Sequence, residues 1–123
     1  MNRVRIAAAA LTAAATLAAA AGAATTAVFL HVSPTTVHRG HVVIIRGNAD
    51  GCGLGATVFI LSHAFAHTHD FAGVPAVLAR VRAGGKFGIR PRIPSSKAPG
   101  SYTVTARCGG GNLGVSAHLT VVA

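Results

Sequence analysis

From Val28 onward the chain places apolar residues at every second position in short runs, and no window carries a helical period. The runs are FLHVSP, HVVIIRG, ATVFILSH, AVLARVR, KFGIRPRIP, SYTVTARC and GVSAHLTVV, at residues 29–34, 41–47, 56–63, 76–82, 86–94, 101–108 and 114–122. Gly, Pro and Asn stand between them, the residues that turn or interrupt a strand. In an extended chain successive side chains leave opposite sides, so each run has one apolar face to bury. Seven short strands in about 95 residues predict an all-β fold, an immunoglobulin-like β-sandwich of about seven antiparallel strands.

Residues 1–27 follow a different rule. MNRVR is short and cationic, IAAAALTAAATLAAAA is apolar, and small residues follow in GAATTA. That order is a secretory signal, with cleavage options after Ala23, Ala24 or Ala27 and the sandwich domain at residues 28–123. The apolar run is shorter than the ~20 residues that cross a bilayer, so no transmembrane span is expected in the mature chain. No cysteine stands at a cleavage option to take a lipid. The expected location is secreted, extracellular or associated with the cell envelope.

Export changes the meaning of the cysteines. Two of them, Cys52 and Cys108, in an oxidising compartment imply a disulfide. It would close a loop of about 55 residues, worth roughly 4 kcal/mol by chain entropy. Cys52 follows the second strand and Cys108 ends the sixth, turns that share one pole in an immunoglobulin-like order. The bond would join the glycine-rich segments GNADGCGLG and CGGGNLG.

VSPTTVHRGHVVIIRG, then Cys52, then GGKFGIRPRIPSSKAPGSYTVTARC, resembles the small immunoglobulin-like domains of secreted actinobacterial proteins. The shared pattern is a VSP start, a glycine before a V-x-V strand, a hairpin with Gly-x-Phe, and P-G-x-Y leading into the strand with the second cysteine. It covers most of residues 32–122. The resemblance implies a non-enzymatic surface or adhesion module. The enediyne-binding apoproteins are similar as single secreted sandwiches, but carry two disulfides where this chain can form one.

Charge sharpens the picture. Beyond the signal stand nine lysines and arginines against Asp50 and Asp70, with no glutamate, a net charge of +7. Such a surface attracts polyanions and negative membranes. Five cations lie in ARVRAGGKFGIRPRIP, residues 79–94. Ala83, Gly84 and Gly85 suit a three-residue hairpin with Gly85 left-handed, opposing Val81 to Phe87 and Ala79 to Ile89 on the buried side. Arg80, Arg82, Lys86, Arg90 and Arg92 then point outward, with Arg82 and Lys86 directly opposed, a mildly destabilising pair. The second strand lies beside the fifth in this order. With Val43 and Ile45 inside, Arg46 joins the same outer face. A polyanion-binding face for an anionic cell-wall polymer or acidic glycan is one reading; solubility and protection of sheet edges is the other.

SHAFAHTHDF holds His63, His67, His69 and Asp70, which would make the chain a small-ligand or metal-binding module if the loop gathers them as a ligand set for a divalent metal. H-E-x-x-H is absent, and with no methionine after Met1 a thioether copper site is excluded. If this segment instead extends the third strand, Phe59, Leu61, His63 and Phe65 line an outer row, with Val42 and Ile44 also outward. Such rows suit self-association. Two aspartates leave a Ser–His pair few orienting partners, so an enzyme is not expected, nor a cofactor. Without a recognition helix, sequence-specific nucleic-acid binding is not expected either. Export and the disulfide are checked together by the intact mass of secreted protein. It should correspond to a chain cleaved after Ala23, Ala24 or Ala27 with oxidised cysteines, and a full-length dithiol chain would refute both.

Overall fold

The alternation resolves into two facing sheets in the computed structural model, which describes residues 27–109 and 111–123. The expected signal at residues 1–27 lies, except for Ala27, outside the described residues. Nine strands follow one another: β1 (Phe29–Ser33), β2 (Thr36–His38), β3 (Ile44–Asn48), β4 (Thr57–Leu61), β5 (His69–Phe71), β6 (Val74–Arg80), β7 (Lys86–Ile89), β8 (Gly100–Cys108) and β9 (Gly111–Val122). One sheet has the order β1-β3-β7, the other β2-β9-β8-β4-β6-β5. The all-β sandwich expected from the alternation is the fold.

Two strands were not legible as strands. Pro34, which has no N–H to give a ladder, follows the end of β1, and the chain passes to the other sheet as β2. TVH is too short to show a period, yet Val37 is 4% exposed and β2 runs parallel to β9. The count among the described residues is therefore nine strands rather than seven, and one pair, β2 with β9, is parallel. β5 is the second addition, an edge strand paired with β6 across the Ala72–Gly73 turn.

The core takes Ile45 and Phe87 from the smaller sheet, Val43 from the residue just before β3, and Val58, Ile60, Val104 and Leu119 from the larger sheet, all within 1% of full burial. Each such side chain contributes roughly 1.5–3 kcal/mol relative to exposure. A one-residue slip of β7 would trade Phe87 for Lys86 or Gly88, so the outward position of the cations follows from what the core demands. Cys52 and Cys108 form the expected disulfide, Cα to Cα 6.4 Å, between the segment after β3 and the end of β8. It links the two sheets.

The expected hairpin between the fourth and fifth strands is a crossover instead. β6 pairs with β4 (Val58 opposite Ala79), whereas β7 pairs with β3 (Gly47 opposite Phe87). Only the turn itself is closed, by Arg82 N–H donating to the Lys86 carbonyl at 2.7 Å and Gly85 N–H to the Arg82 carbonyl at 3.0 Å. Gly84 and Gly85 are both left-handed, φ 81° and 80°, and between them the chain leaves one sheet for the other. Alternation could not distinguish the two arrangements, because strands facing the core from opposite sheets obey the same pattern. Arg82 and Lys86 are accordingly not a cross-strand pair.

The outer row expected from an extended third strand is also absent. β4 stops at Leu61, 8% exposed, and the following segment folds inward so that Ala64 and Phe65 are fully buried. The Ser62 hydroxyl accepts the Ala64 N–H at 3.1 Å, and Lys97 Nζ donates to the His63 carbonyl at 2.7 Å. Phe71 of β5 packs on Phe59 at 5.3 Å between ring centroids, and Arg107 lies 4.7 Å from the Phe71 ring. Phe59 is thus half-covered.

Gly47 is the tightest of the described glycines. A Cβ there would stand 2.3 Å from Phe87 Cζ and 2.5 Å from the Phe29 carbonyl oxygen. A backbone oxygen inside a paired strand cannot withdraw, so Gly47→Ala should cost about 3 kcal/mol or more, at or above the upper end of ordinary overpacking. Chemical denaturation measures this; a variant as stable as the parent would show that the Gly47–Phe87 contact is not the constraint.

Candidate functional site

Outward positions of the smaller sheet form rows across its strands. Phe29, Asn48 and Lys86 are register partners in one row, and His31, Arg46 and Gly88 in the next. Ser33 and Ile44 pair in the third, with Arg90 just beyond the end of β7. Neighbouring rows on one face are two residues apart along the strand, about 7 Å. At that separation two exposed charges in water repel by about 0.6 kcal/mol before salt screening, an easily tolerated cost.

The rows enclose two adjoining hollows. The larger, about 830 Å³ and open to solvent, is lined by Arg46, Arg80, Arg82 and Arg90 with Ile44 and Ile89 among the apolar residues. The other is lined by His31, Arg46, Arg82 and Lys86 beside Phe29. Arg46 and Arg82 are common to both. No carboxylate is among the described residues lining either one. Five of the six cations expected on a polyanion face (Arg46, Arg80, Arg82, Lys86 and Arg90) are therefore brought together. Arg92 is not: it donates to the Gly40 carbonyl at 2.6 Å and bridges to Val42. Arg80 stands at the rim, with one guanidinium nitrogen donating to the Gly55 carbonyl at 3.1 Å.

Asn48 holds the turn that presents Arg82 and Lys86. It is 2% exposed; its amide donates to the Gly84 carbonyl and its oxygen accepts the Asp50 N–H, both at 2.8 Å. Ala49 N–H donates to the Gly85 carbonyl at 2.7 Å. A buried amide that satisfies two backbone groups fixes the crossover to the end of β3, and so sets where the cations of the turn stand. Sequence reading missed Asn48 because Asn beside glycine reads as a turn residue. It missed His31 because placing that ring beside Arg46 needs the β1–β3 pairing, although FLHVSP already puts His31 outward.

The metal set is not gathered. His67 Nδ1 and Asp70 Oδ1 are 3.2 Å apart, both exposed, while His69 lies on edge strand β5 and His63 just past β4. Among the described residues no three His, Cys, Asp or Glu side chains are grouped as metal ligands. The inward fold of Phe65 separates His63 from the rest of the segment.

No protein-family model and no curated protein matches the chain. Among solved structures, the Pseudomonas fluorescens alkylpurine DNA glycosylase AlkC bound to DNA containing an abasic site analog is similar with a TM-score of 0.48 and 18% identity, over 79% of this chain and 31% of that one. A likeness at that level carries nothing about activity to this chain. Among the described residues no helix is long and apolar enough to cross a membrane.

The dispersed histidines give a direct expectation. Zinc titrated calorimetrically into the parent and into a His67→Ala, His69→Ala variant should give equally weak heats. A submicromolar site lost in the variant would show that the loop closes on a metal.

Proposed function

We propose that the chain is a secreted, non-enzymatic binding module that takes an anionic polymer of the cell exterior, a wall polymer or acidic glycan, along the outer face of the β1-β3-β7 sheet. The observation that carries this reading is the convergence of Arg46, Arg80, Arg82 and Arg90 on one open hollow, and of His31 and Lys86 on its neighbour. Solubility asks only that cations be exposed. It does not ask for arginines from three separate segments around one concavity.

The physics of binding would be counterion release. A polymer loses condensed counterions as the face neutralises its charges, so affinity falls with salt in proportion to the charges engaged. Arginine suits this task because its planar fork binds oxyanions in pairs of hydrogen bonds and is weakly hydrated. The carboxylates of the sequence, Asp50 and Asp70, lie outside the hollows, and Asp70 is engaged by His67. Catalysis by an acid–base pair finds no support there.

Retention on an immobilised anionic polymer across a salt series tests the reading. Arg82→Ser with Lys86→Ser should weaken retention and reduce the logarithmic salt slope by up to about two, one for each lost cation. Stability should be unchanged, because both side chains are exposed. Equal retention by the variant, or no retention of the parent at low salt, would leave solubility as the account of the cations.

A further inference from the structure

Two glycines on adjacent strands of this face behave in opposite ways. Gly47 points inward and has no room for a side chain. Gly88 points outward, opposite Arg46, and is exposed. A Cβ at Gly88 would meet the Ile45 carbonyl oxygen at 3.4 Å, Arg46 Cγ at 3.8 Å and an Arg82 guanidinium nitrogen at 3.8 Å, ordinary contacts throughout. Its φ is not in the left-handed region. Nothing in the backbone or the packing asks for glycine, which is a poor strand residue. What it leaves is a gap between the stem of Arg46 and the fork of Arg82, at the centre of the charged rows.

We propose that the gap over Gly88 is a phosphate subsite, and that the polymer is a phosphodiester-linked polyol lying along β7. This rests on the reading of the basic face as a polyanion site. A tetrahedral phosphodiester projects oxygens in diverging directions and can meet guanidinium groups from two sides, whereas a carboxylate presents two coplanar oxygens that one fork satisfies. The rows repeat the opportunity: Lys86 stands one row from the gap and Arg90 one row beyond it on the other side, each about 7 Å along the strand. A short polyol between phosphates spans a distance of that order. Between the cations lies Ile44, the outward neighbour of buried Ile45 and a half-buried aliphatic side chain suited to a carbon backbone. Single-stranded nucleic acid is the competing occupant, because its sites stack bases on aromatic rings. Phe29 and His31 line the second hollow beside Lys86, but the hollow that holds the Gly88 gap has no ring among its described lining residues, which favours the polyol.

The test keeps every charge in place. Gly88→Ala and Gly88→Thr raise the floor of the gap by one and three heavy atoms, and both should melt no lower than the parent, since an outward strand position favours them. Affinities of the exported, oxidised protein are measured for poly(glycerol phosphate), poly-L-glutamate and an oligodeoxythymidylate of matched charge number. The parent should prefer the glycerol phosphate polymer. Gly88→Thr should lower that affinity about tenfold, the scale of one charge-assisted contact, with Gly88→Ala between. The salt slope should stay unchanged, and so should poly-L-glutamate binding. If Gly88→Thr binds all three as the parent does, or loses all three alike, the subsite is refuted while the basic face stands. Tighter binding of the oligonucleotide than of the polyol phosphate would overturn the polyol assignment. Retention of the parent by none of them would remove the face and the subsite together.

Discussion

The contact between the Phe87 ring and the bare backbone of Gly47 sets the phase of the smaller sheet. A glycine inside a strand weakens it by roughly 0.5–1 kcal/mol, but here a cross-strand aromatic covers the vacancy and is itself 1% exposed. Side chains alternate with a period of two, so fixing one position fixes all the others. With Gly47 and Phe87 inside, Ile45 and Val43 are inside as well. Arg46, Lys86 and Arg90 are outside for the same reason. The basic face is thus a geometric consequence of one buried contact, and its charges need no attraction of their own to hold their places.

The second constraint is how the chain brings β7 to β3 at all. The crossover from the six-stranded sheet passes through two left-handed glycines, and the amide of Asn48 grips it from the end of β3. A few residues further, the Cys52–Cys108 bond ties the same region to the end of β8. Turn, amide and disulfide act on neighbouring stretches of chain, and together they seat Arg82 over the edge of a sheet to which β6 does not belong. That is why cations adjacent in sequence come to surround a hollow rather than flank a hairpin.

Much of this was legible in the sequence, and the failures have a common cause. Alternation gave the inward and outward sense of Val43, Ile45, Arg46, Ala79, Val81 and Phe87, and an even cysteine count read with the expectation of export gave the disulfide. Alternation is blind to which sheet a strand joins, however, so the glycine-linked segments read as a hairpin although they face each other across the core. Nor does it register a three-residue strand such as TVH, whose place is set by pairing with β9. Phe65 was misplaced for a different reason. The strand period does not continue past Leu61, because the turn at Ser62 breaks it and sends the ring into the core. The same break disperses His63 from His67 and His69, so one local event undid both the apolar row and the metal set.

Gly88 is where local and global reasoning part. Gly47 is explained entirely by the fold, since any side chain there would strike a ring and a carbonyl. Gly88 is its near neighbour across the sheet and is explained by none of the fold's requirements. Sequences that specify one structure tend to agree across levels, and the places where a local rule is broken without structural return concentrate at functional sites. A bare outward strand position between two arginines is such a place. The stability forgone there is small, a fraction of what a single buried isoleucine contributes. Its return is space beside charge, which an exposed arginine cluster otherwise lacks, because long flexible side chains tend to fill the gaps between one another.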